Sequence, residues 1–257
     1  MNIILVGVLA SLGAGLMTGV GAIPVLFGRG ISRRMNDTLL GFAAGVMISA
    51  SYFSLIIPGI DAAADQHGSL VIAAMIAGGG IALGALAVAV LNEALPHEHF
   101  IEGREGSDAG AMSKIWLFVI AITIHNFPEG MAVGIGFGGG DVAKGMSLAT
   151  GIGLQNAPEG LAVAVALRGQ GYSKVTSFLI ALATGLVEPV GGLIGVAAIQ
   201  ISSFLLPWGL TFAAGAMIYI ISHEIIPETH RHGHQNAATT GLTIGLILMM
   251  VLDVTLG

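Results

Sequence analysis

Long stretches of the sequence contain almost no charged residue, and this feature limits the possible folds more than any other. Eight such stretches of 20 to 26 residues can be recognised, at 3–27, 38–60, 70–91, 115–140, 145–167, 175–200, 203–226 and 237–256. A helix of about 20 apolar residues, rising 1.5 Å per residue, spans a hydrocarbon core of about 30 Å. The stretches lack the period-two alternation of barrel strands. The sequence therefore predicts an all-α, polytopic membrane protein whose eight transmembrane helices form a single domain over residues 1–257.

The composition agrees with helices that face lipid. Hydrophobic residues make up 54% of the chain and charged residues only 9%, against roughly a quarter charged in ordinary soluble domains. The 9 basic residues are scattered and the formal net charge is −6, so we expect no nucleic-acid partner. The sequence contains no cysteine, which excludes disulfides and thiolate metal sites.

The distribution of basic residues predicts the orientation. Once eight crossings are accepted, one side of the membrane carries all but one of the basic residues, and the other side carries only Lys144. Those on the first side are Arg29, Arg33, Arg34, Arg104, Lys114, Arg168, Lys174 and Arg231. By the positive-inside rule this side is the cytoplasm, which places both termini outside the inner (plasma) membrane. The longest connection, residues 92–114, then becomes a mobile cytoplasmic loop between the third and fourth helices.

Two of the stretches carry related polar motifs. His-Asn-Phe-Pro-Glu-Gly occupies 125–130, and Gln-Asn-Ala-Pro-Glu-Gly occupies 155–160. Asn126, Asn156 and Glu188 all lie within about two residues of the midpoints of their helices, and therefore close to the bilayer centre. Charged groups at this depth are costly, and they usually mark ion or substrate pathways. The duplicated motif therefore indicates a functional site.

The spacing within each motif brings metal-binding side chains together. Residues i and i+4 share one face of a helix, which pairs His125 with Glu129 and Gln155 with Glu159. The two helices run in opposite directions, so a pseudo-twofold axis in the membrane plane can relate them, as in transporters with midplane sites. The adjacent asparagines point about 100° away, toward a second point that the same glutamates can reach. Two metal positions bridged by carboxylates are compatible with this pattern.

Small residues and prolines shape the predicted helices. The Gly-xxx-Gly pairs at 41–45, 80–84 and 241–245 are typical of closely packed transmembrane helices. Proline removes a backbone donor, so we expect the helices to be loosened at Pro128, Pro158 and Pro189.

The seventh stretch ends in a second polar motif, Ser-His-Glu-Ile-Ile-Pro-Glu at 222–228. It lacks the second histidine of the HExxH zinc-protease helix, because Pro227 occupies that position. His223, Glu224 and Glu228 instead predict a polar route from the midplane to the cytoplasm. For the three loop histidines that follow, an extension of this route and a solvated tail are equally compatible with the sequence; they are His230, His232 and His234.

These features together resemble the ZIP family of zinc and iron transporters, in its bacterial branch. The resemblance rests on the HNxPEG and QNxPEG motifs, Glu188, the histidines of the 92–114 loop and the motif at 222–228, and it covers nearly the whole chain. It implies that the first three and last three helices form inverted repeats, and that transport involves one helix bundle shifting against another.

The resemblance also implies roles for individual residues. A first metal would be bound by His125, Glu129, Gln155 and Glu159. A second would be bound by Asn126, Glu129, Asn156, Glu159 and Glu188, with Glu129 and Glu159 bridging. Some relatives have aspartate where Asn156 stands, so the second position is less anionic here. Met47, Ser54 and Asp61 match an entrance, and their spacing of seven residues predicts a common helix face; His223 and Glu224 would serve the release path.

We therefore expect a transporter of divalent transition-metal ions, and not an enzyme, that moves Zn²⁺ from the exterior or periplasm into the cytoplasm. Carboxylate, carboxamide and imidazole ligands also suit Fe²⁺, Mn²⁺, Co²⁺ and Cd²⁺. No cofactor is expected besides the transported ion, and the partners are metal ions and the lipid bilayer. A homodimer is one option for the oligomeric state. Two alternative functions stay open, an intramembrane dimetal-carboxylate enzyme and a proton-coupled cation exporter.

Overall fold

The computed structural model describes residues 2–28, 31–94, 97–99, 103–105, 114–230 and 233–256. In chain order, the α-helices in these ranges are α1 (Ile3–Leu26), α2 (Arg33–Ser49), α3 (Ile57–His67), α4 (Leu70–Ala94), α5 (Lys114–Gly138), α6 (Val142–Gly169), α7 (Lys174–Gly185), α8 (Glu188–Ile201), α9 (Leu206–Ile220), α10 (Ile226–His230) and α11 (Gln235–Leu256). Two π-helical segments, Ala50–Ile56 and Ile221–Ile225, join α2 to α3 and α9 to α10. A 3₁₀ turn, Ser203–Leu205, precedes α9.

The connection between α4 and α5 contains two short strands that the sequence analysis did not predict. They are β1 (His97–His99) and β2 (Gly103–Glu105), which pair in antiparallel fashion with His97 opposite Glu105. Strands of three residues carry no recognisable alternation of polar and apolar positions, so periodicity could not reveal them. The predicted loop bounds 92–114 are too wide, because residues 92–94 continue α4 and Lys114 begins α5. Residues 95–96, 100–102 and 106–113 of this loop lie outside the described residues.

Seven helical segments among the described residues are long and apolar enough to cross a membrane, and they match seven of the eight predicted stretches. They are Ile3–Leu26, Arg33–His67, Leu70–Ala94, Phe118–Gly138, Lys174–Ile201, Ser203–His230 and Gln235–Leu256. The exception is α6, which carries the second polar motif. Its 28 residues reach about 42 Å, but its Gln155, Asn156 and Glu159 are buried within the protein and lower its apolar content. Apart from the short strands β1 and β2, the predicted all-α, multi-pass architecture is confirmed, whereas the eighth crossing and the inverted repeat stay predictions.

Large apolar side chains cover the outer faces of the terminal and peripheral helices. Leu70 and Met75 on α4 are each 74% exposed, and Val254 on α11 is 71% exposed. Extended apolar surface of this kind is unusual on a monomeric soluble protein. The exposed faces therefore fit contact with lipid.

The helices pack as two groups. We call α1 and α5–α8 the motif bundle, because it carries both polar motifs and Glu188; its most extensive contacts join α1 to α6 and α5 to α8. We call α2–α4, α9–α11 and the two π-helical segments the flanking bundle, in which α2 packs on α11 and α4 on α9. The bundles meet where α2 and α11 lie against α6 and where α9 lies against α5.

Glycines allow close approach of the helix backbones in the flanking bundle. The predicted pairs at 41–45 and 241–245 pack α2 against α11, and a Cβ added at Gly45 would collide with the carbonyl oxygen of Leu242. The pair at 80–84 packs α4 against α9 in the same way. Without a hydrophobic driving force between helices in lipid, such van der Waals contact is a main source of helix association.

Two similar sequences surround the two π-helical segments. Phe-Ala-Ala-Gly-x-Met-Ile occurs at 42–48 and again at 212–218. Each copy is followed by a π-helical segment whose last residue is the first isoleucine of an Ile-Ile-Pro sequence. The amide of Ile57 donates to the carbonyl of Tyr52, and that of Ile226 to the carbonyl of Ile221, which are i to i−5 bonds. The following prolines lack the amide that an α-helix would use here, so the wider turn accommodates them.

The packing of α2 on α11 leads to a stability prediction. We expect Gly45→Ala to destabilise the protein by about 1–3 kcal/mol, because the added methyl group meets backbone that cannot rotate away. Thermal unfolding of the protein in detergent measures this change. Gly78→Ala in α4 is the matched control, since no atom lies within 4 Å of the added Cβ; equal melting temperatures for the two variants would contradict the prediction.

Candidate metal centre

The two polar motifs lie on neighbouring helices of the motif bundle, and their final glycines determine how closely other helices approach. A Cβ added at Gly130 would collide with the backbone of Glu188, and one at Gly160 would collide with the backbone of Thr18. The first glycine therefore brings α8, with its carboxylate, directly against α5. The second brings α1 against α6.

Three of the predicted ligands form a compact cluster. Ligand atoms of His125, Glu129 and Glu159 all lie within 4.8 Å of one another, and the three residues are at most 2% exposed. Zinc ligands stand about 2.0–2.2 Å from the ion, so three donor atoms this close to one another can contribute to one coordination shell. The cluster combines one imidazole and two carboxylates, a donor set that suits Zn²⁺ and related divalent ions.

Two buried amides contact the buried carboxylates. Gln155 donates a hydrogen bond from Nε2 to Oε1 of Glu129. Asn156 donates from Nδ2 to Oε1 of Glu188 at 2.7 Å and to the carbonyl oxygen of Ala14 at 2.8 Å. Because both Asn156 donors are used, the orientation of this amide is determined, and its Oδ1 atom is left as an acceptor.

Many polar atoms at the centre have no hydrogen-bond partner within the described part of the chain. They include His125 Nε2, Glu129 Oε2, Gln155 Oε1, Asn156 Oδ1, both carboxylate oxygens of Glu159 and Glu188 Oε2. Buried polar groups are almost always paired, because an unpaired one is costly. These atoms are nearly all lone-pair acceptors, so a bound cation is the ligand that would satisfy them together.

Glu188 lies at a break in the sixth predicted crossing. α7 ends at Gly185, and α8 begins at Glu188 after the turn residues Leu186 and Val187. The helix is thus interrupted just before Pro189, where the sequence analysis expected a loosening, and the carboxylate lies at the positive end of the α8 dipole. By contrast, Pro128 and Pro158 lie inside uninterrupted helices, so the predicted loosening does not interrupt α5 or α6.

The structure places the three predicted entrance residues along one continuous helical segment. Met47 is fully buried in an apolar core cluster that also contains Ile152, Ser54 is nearly buried, and Asp61 is exposed. The predicted spacing of seven assumed a regular α-helix, whereas the π-helical segment Ala50–Ile56 changes the helical register between Met47 and Ser54. The entrance role of the three residues stays a prediction. Ser54 donates to Asp253 on α11 at 2.6 Å.

Of the predicted release residues, Glu224 lies directly beside the cluster. Its Oε2 is 3.3 Å from His125 Nδ1, and its Oε1 accepts from Asn92 Nδ2 at 3.4 Å. His223 instead contacts Tyr219, with ring centroids 5.0 Å apart. Glu228 lies one turn farther along, on α10, and is half-buried.

Two of the loop histidines are half-buried and contact other groups of the protein, and their role on the predicted route stays a prediction. His234 Nδ1 lies 2.8 Å from Oδ2 of the buried Asp37, and His230 Nδ1 lies 2.9 Å from the carbonyl oxygen of Ile226. The His234 contact joins the residue before α11 to α2, whereas the His230 contact lies within α10. His232 lies outside the described residues.

The sequence analysis did not select Asn92, Ser147 or Asp253 as site residues. Asn92 is buried beside Glu224, and Ser147 lies 3.5 Å from the Asp253 carboxylate. These contacts join residues far apart in the chain, so no local spacing could reveal them. Ser147 and Asp253 are polar residues in otherwise apolar stretches, whereas Asn92 was assigned to the loop after the third stretch.

Comparison with known proteins identifies the family. The model of a family described as ZIP zinc transporters matches residues 96–253. The chain belongs to this ZIP family. It is similar to the zinc transporter GufA of Myxococcus xanthus, with 48% identity over 98% of this chain and 99% of the relative. It is also similar to the zinc transporter ZIPB of Bordetella bronchiseptica, with 46% identity over 93% of this chain and 78% of the relative.

The similarity extends to more distant ZIP proteins. The human zinc transporter ZIP11 is 33% identical, over 94% of this chain and 94% of the relative. The ZIP resemblance inferred from the paired motifs is thus confirmed. Membership also favours a transporter over an enzyme, while the ligand assignments of individual residues stay predictions that rest on the geometry above.

The amide of Asn156 leads to a prediction for this ZIP protein. We expect Asn156→Asp to destabilise the metal-free protein by about 2 kcal/mol or more, because two buried acceptors, Glu188 Oε1 and Ala14 O, lose their donors. Thermal unfolding with a chelator measures this loss, and added zinc should recover a larger part of it than in the parent protein. Asn236→Asp, at an exposed position, is the control; equal behaviour of the two variants would contradict the prediction.

Proposed function

We propose that this ZIP protein carries Zn²⁺ across the inner membrane from the exterior or periplasm into the cytoplasm, through a binuclear site near the membrane midplane. The cluster of His125, Glu129 and Glu159, with its unpaired acceptor atoms, carries this proposal. Zinc transport is the activity named for the relatives GufA and ZIPB. Fe²⁺, Mn²⁺, Co²⁺ and Cd²⁺ are secondary candidates because they accept the same ligand types.

The first metal position would be formed by His125, Glu129, Gln155 and Glu159. Gln155 already contacts Glu129, and its Oε1 atom is free to face a cation. Bringing an ion into this pocket removes its hydration shell, and two carboxylates with one imidazole compensate for that loss. We therefore expect the first position to bind the ion more tightly than the second.

The second metal position would be formed by Asn126 and Asn156 with Glu129, Glu159 and Glu188. Here the Asn156 amide donates to Glu188 Oε1. This hydrogen bond already stabilises part of the negative charge that a second cation would otherwise neutralise. Glu188 Oε2 and both amide atoms of Asn126 have no hydrogen-bond partner among the described residues. The position can accept an ion, but with lower affinity than the first.

The packing supports the proposed orientation. One apolar cluster joins the end of α1, the start of α5, the end of α6 and the start of α7, so Arg33, Arg168 and Lys174 all lie near one end of the molecule. Lys144 lies at the start of α6, toward the opposite end. An excess of basic residues at the first end favours a cytoplasmic location for it. The side chains of Arg29, Arg104, Lys114 and Arg231 lie outside the described residues.

α6 completes the proposed arrangement as the eighth crossing. It is long enough to span the bilayer, and it runs through the motif bundle, where protein rather than lipid surrounds its polar residues. The repeated sequences at 42–48 and 212–218 support a relationship between the second and seventh crossings. A shift of the motif bundle against the flanking bundle would then expose the metal to each side in turn.

Orientation can be tested by cysteine labelling, because the chain contains no cysteine of its own. In intact cells, we expect a membrane-impermeant maleimide to label Lys144→Cys, whereas Lys174→Cys should react only after permeabilisation. Both lysines are exposed at helix ends, so accessibility from each side decides the reaction. The opposite labelling pattern would show that the protein has the reverse orientation.

Transport can be tested in proteoliposomes that contain a zinc-sensitive dye. We expect saturable Zn²⁺ influx that falls at least about tenfold in Glu129→Ala and in Glu159→Ala, because each loses a carboxylate ligand. Glu93→Gln, which removes an exposed carboxylate on α4, should leave influx unchanged.

The same experiment separates the alternatives. Conversion of a separate substrate by the zinc-loaded protein, without metal flux, would favour the dimetal enzyme. Zinc flux that occurs only outward, and only when an inward proton gradient drives it, would favour the exporter. Unchanged influx in both glutamate variants would contradict the proposed site.

A further inference from the structure

The histidine of the metal cluster has one nitrogen engaged and one available. His125 Nδ1 lies 3.3 Å from Glu224 Oε2, whereas Nε2 is buried and has no hydrogen-bond partner among the described residues. When a neutral imidazole donates from Nδ1 to a carboxylate, its one proton is on Nδ1, and the Nε2 lone pair is free. Nε2 is then the nitrogen that can bind a metal ion.

The carboxylate beside His125 is itself held in place. Glu224 lies on the π-helical segment Ile221–Ile225, and its second oxygen accepts a hydrogen bond from Asn92 on α4. Asn92 is 2% exposed, and the Glu224 side chain is 10% exposed. Three elements therefore converge on one chain of contacts, from Asn92 through Glu224 to His125.

This chain of contacts crosses the interface between the two bundles. His125 belongs to the motif bundle, while Glu224 and Asn92 belong to the flanking bundle. A carboxylate that accepts from the outer nitrogen of a metal-binding histidine fixes the tautomer and ring orientation and raises the basicity of the ligand. The ligand geometry of one bundle is thus set by a residue of the other.

We propose that Glu224 is a positioning residue for the transported metal: it directs His125 Nε2 toward Glu129 and Glu159, so that tight binding requires the flanking bundle to be docked against the motif bundle. This inference rests on the proposed function and deepens it. It differs from a role for Glu224 as a direct ligand on the release path, since here the carboxylate acts through the imidazole.

A double-mutant cycle on the purified full-length protein tests the proposal, with zinc affinity measured by competition with a chelating dye. We expect Glu224→Ala to weaken zinc binding about 10–100-fold, the usual cost of removing such an outer partner. In a His125→Ala background the same change should cost less than about threefold, because the effect travels through the missing imidazole. Glu93→Gln, next to Asn92 in the sequence but exposed, should change nothing.

Two outcomes would overturn the proposal. If Glu224→Ala weakens binding equally in the presence and absence of the His125 imidazole, the residue acts independently or supports folding in general. If it instead removes one bound zinc per chain without weakening the others, Glu224 is itself a ligand.

A conservative variant keeps the test decisive if His125→Ala binds zinc too weakly to measure. Glu224→Gln retains an oxygen that can accept from Nδ1, so we expect it to recover much of the affinity lost in Glu224→Ala; equal affinities for the two variants would contradict the proposal. Since the cycle measures binding alone, it is independent of the influx assay. Absence of zinc influx in the parent protein would overturn the proposed function and leave the cycle interpretable.

Discussion

Burial of carboxylates without enough protein donors is the constraint on which the rest of this structure depends. Glu129, Glu159 and Glu188 are at most 2% exposed. Gln155 and Asn156 donate to one oxygen each of Glu129 and Glu188, and both oxygens of Glu159 lack a hydrogen-bond partner among the described residues. Such an arrangement is costly in a membrane interior unless a cation completes it. The close approach of α8 at Gly130 and the break before Glu188 both bring negative charge to this point.

Local spacing was sufficient to predict much of the centre. Residues four apart share a helix face, and the structure brings His125 and Glu129 together with Glu159 from the neighbouring helix. The positions of seven helical segments that are long and apolar enough to cross a membrane also followed from apolar stretches. The helix α6 did not satisfy the same criterion, because a helix surrounded by protein has no need of a continuously apolar surface. A continuously apolar stretch indicates a helix that faces lipid, and a helix enclosed by other helices need not have one.

The remaining features depend on contacts between distant residues. Asn92 and Glu224 are 132 positions apart, and nothing in the sequence around Asn92 indicates its partner. The π-helical segments escaped prediction for a different reason, since one extra residue per turn leaves no mark on an apolar pattern. A signal was nevertheless present, because Phe-Ala-Ala-Gly occurs at 42–45 and again at 212–215, with Ile-Ile-Pro following each copy. Such repeats become informative when the two copies are compared directly.

The two polar motifs have similar sequences but different surroundings. Their first residues, His125 and Gln155, account for the difference in surroundings. His125 opens the first motif and reaches across to Glu224 of the flanking bundle, whereas Gln155 opens the second and donates to Glu129 within the motif bundle. An imidazole has a second ring nitrogen that can contact another group while the first binds a metal. A carboxamide oxygen and nitrogen sit on one carbon and cannot extend as far. Of the two predicted ligands that open the motifs, one therefore contacts the other bundle and one contacts only its own.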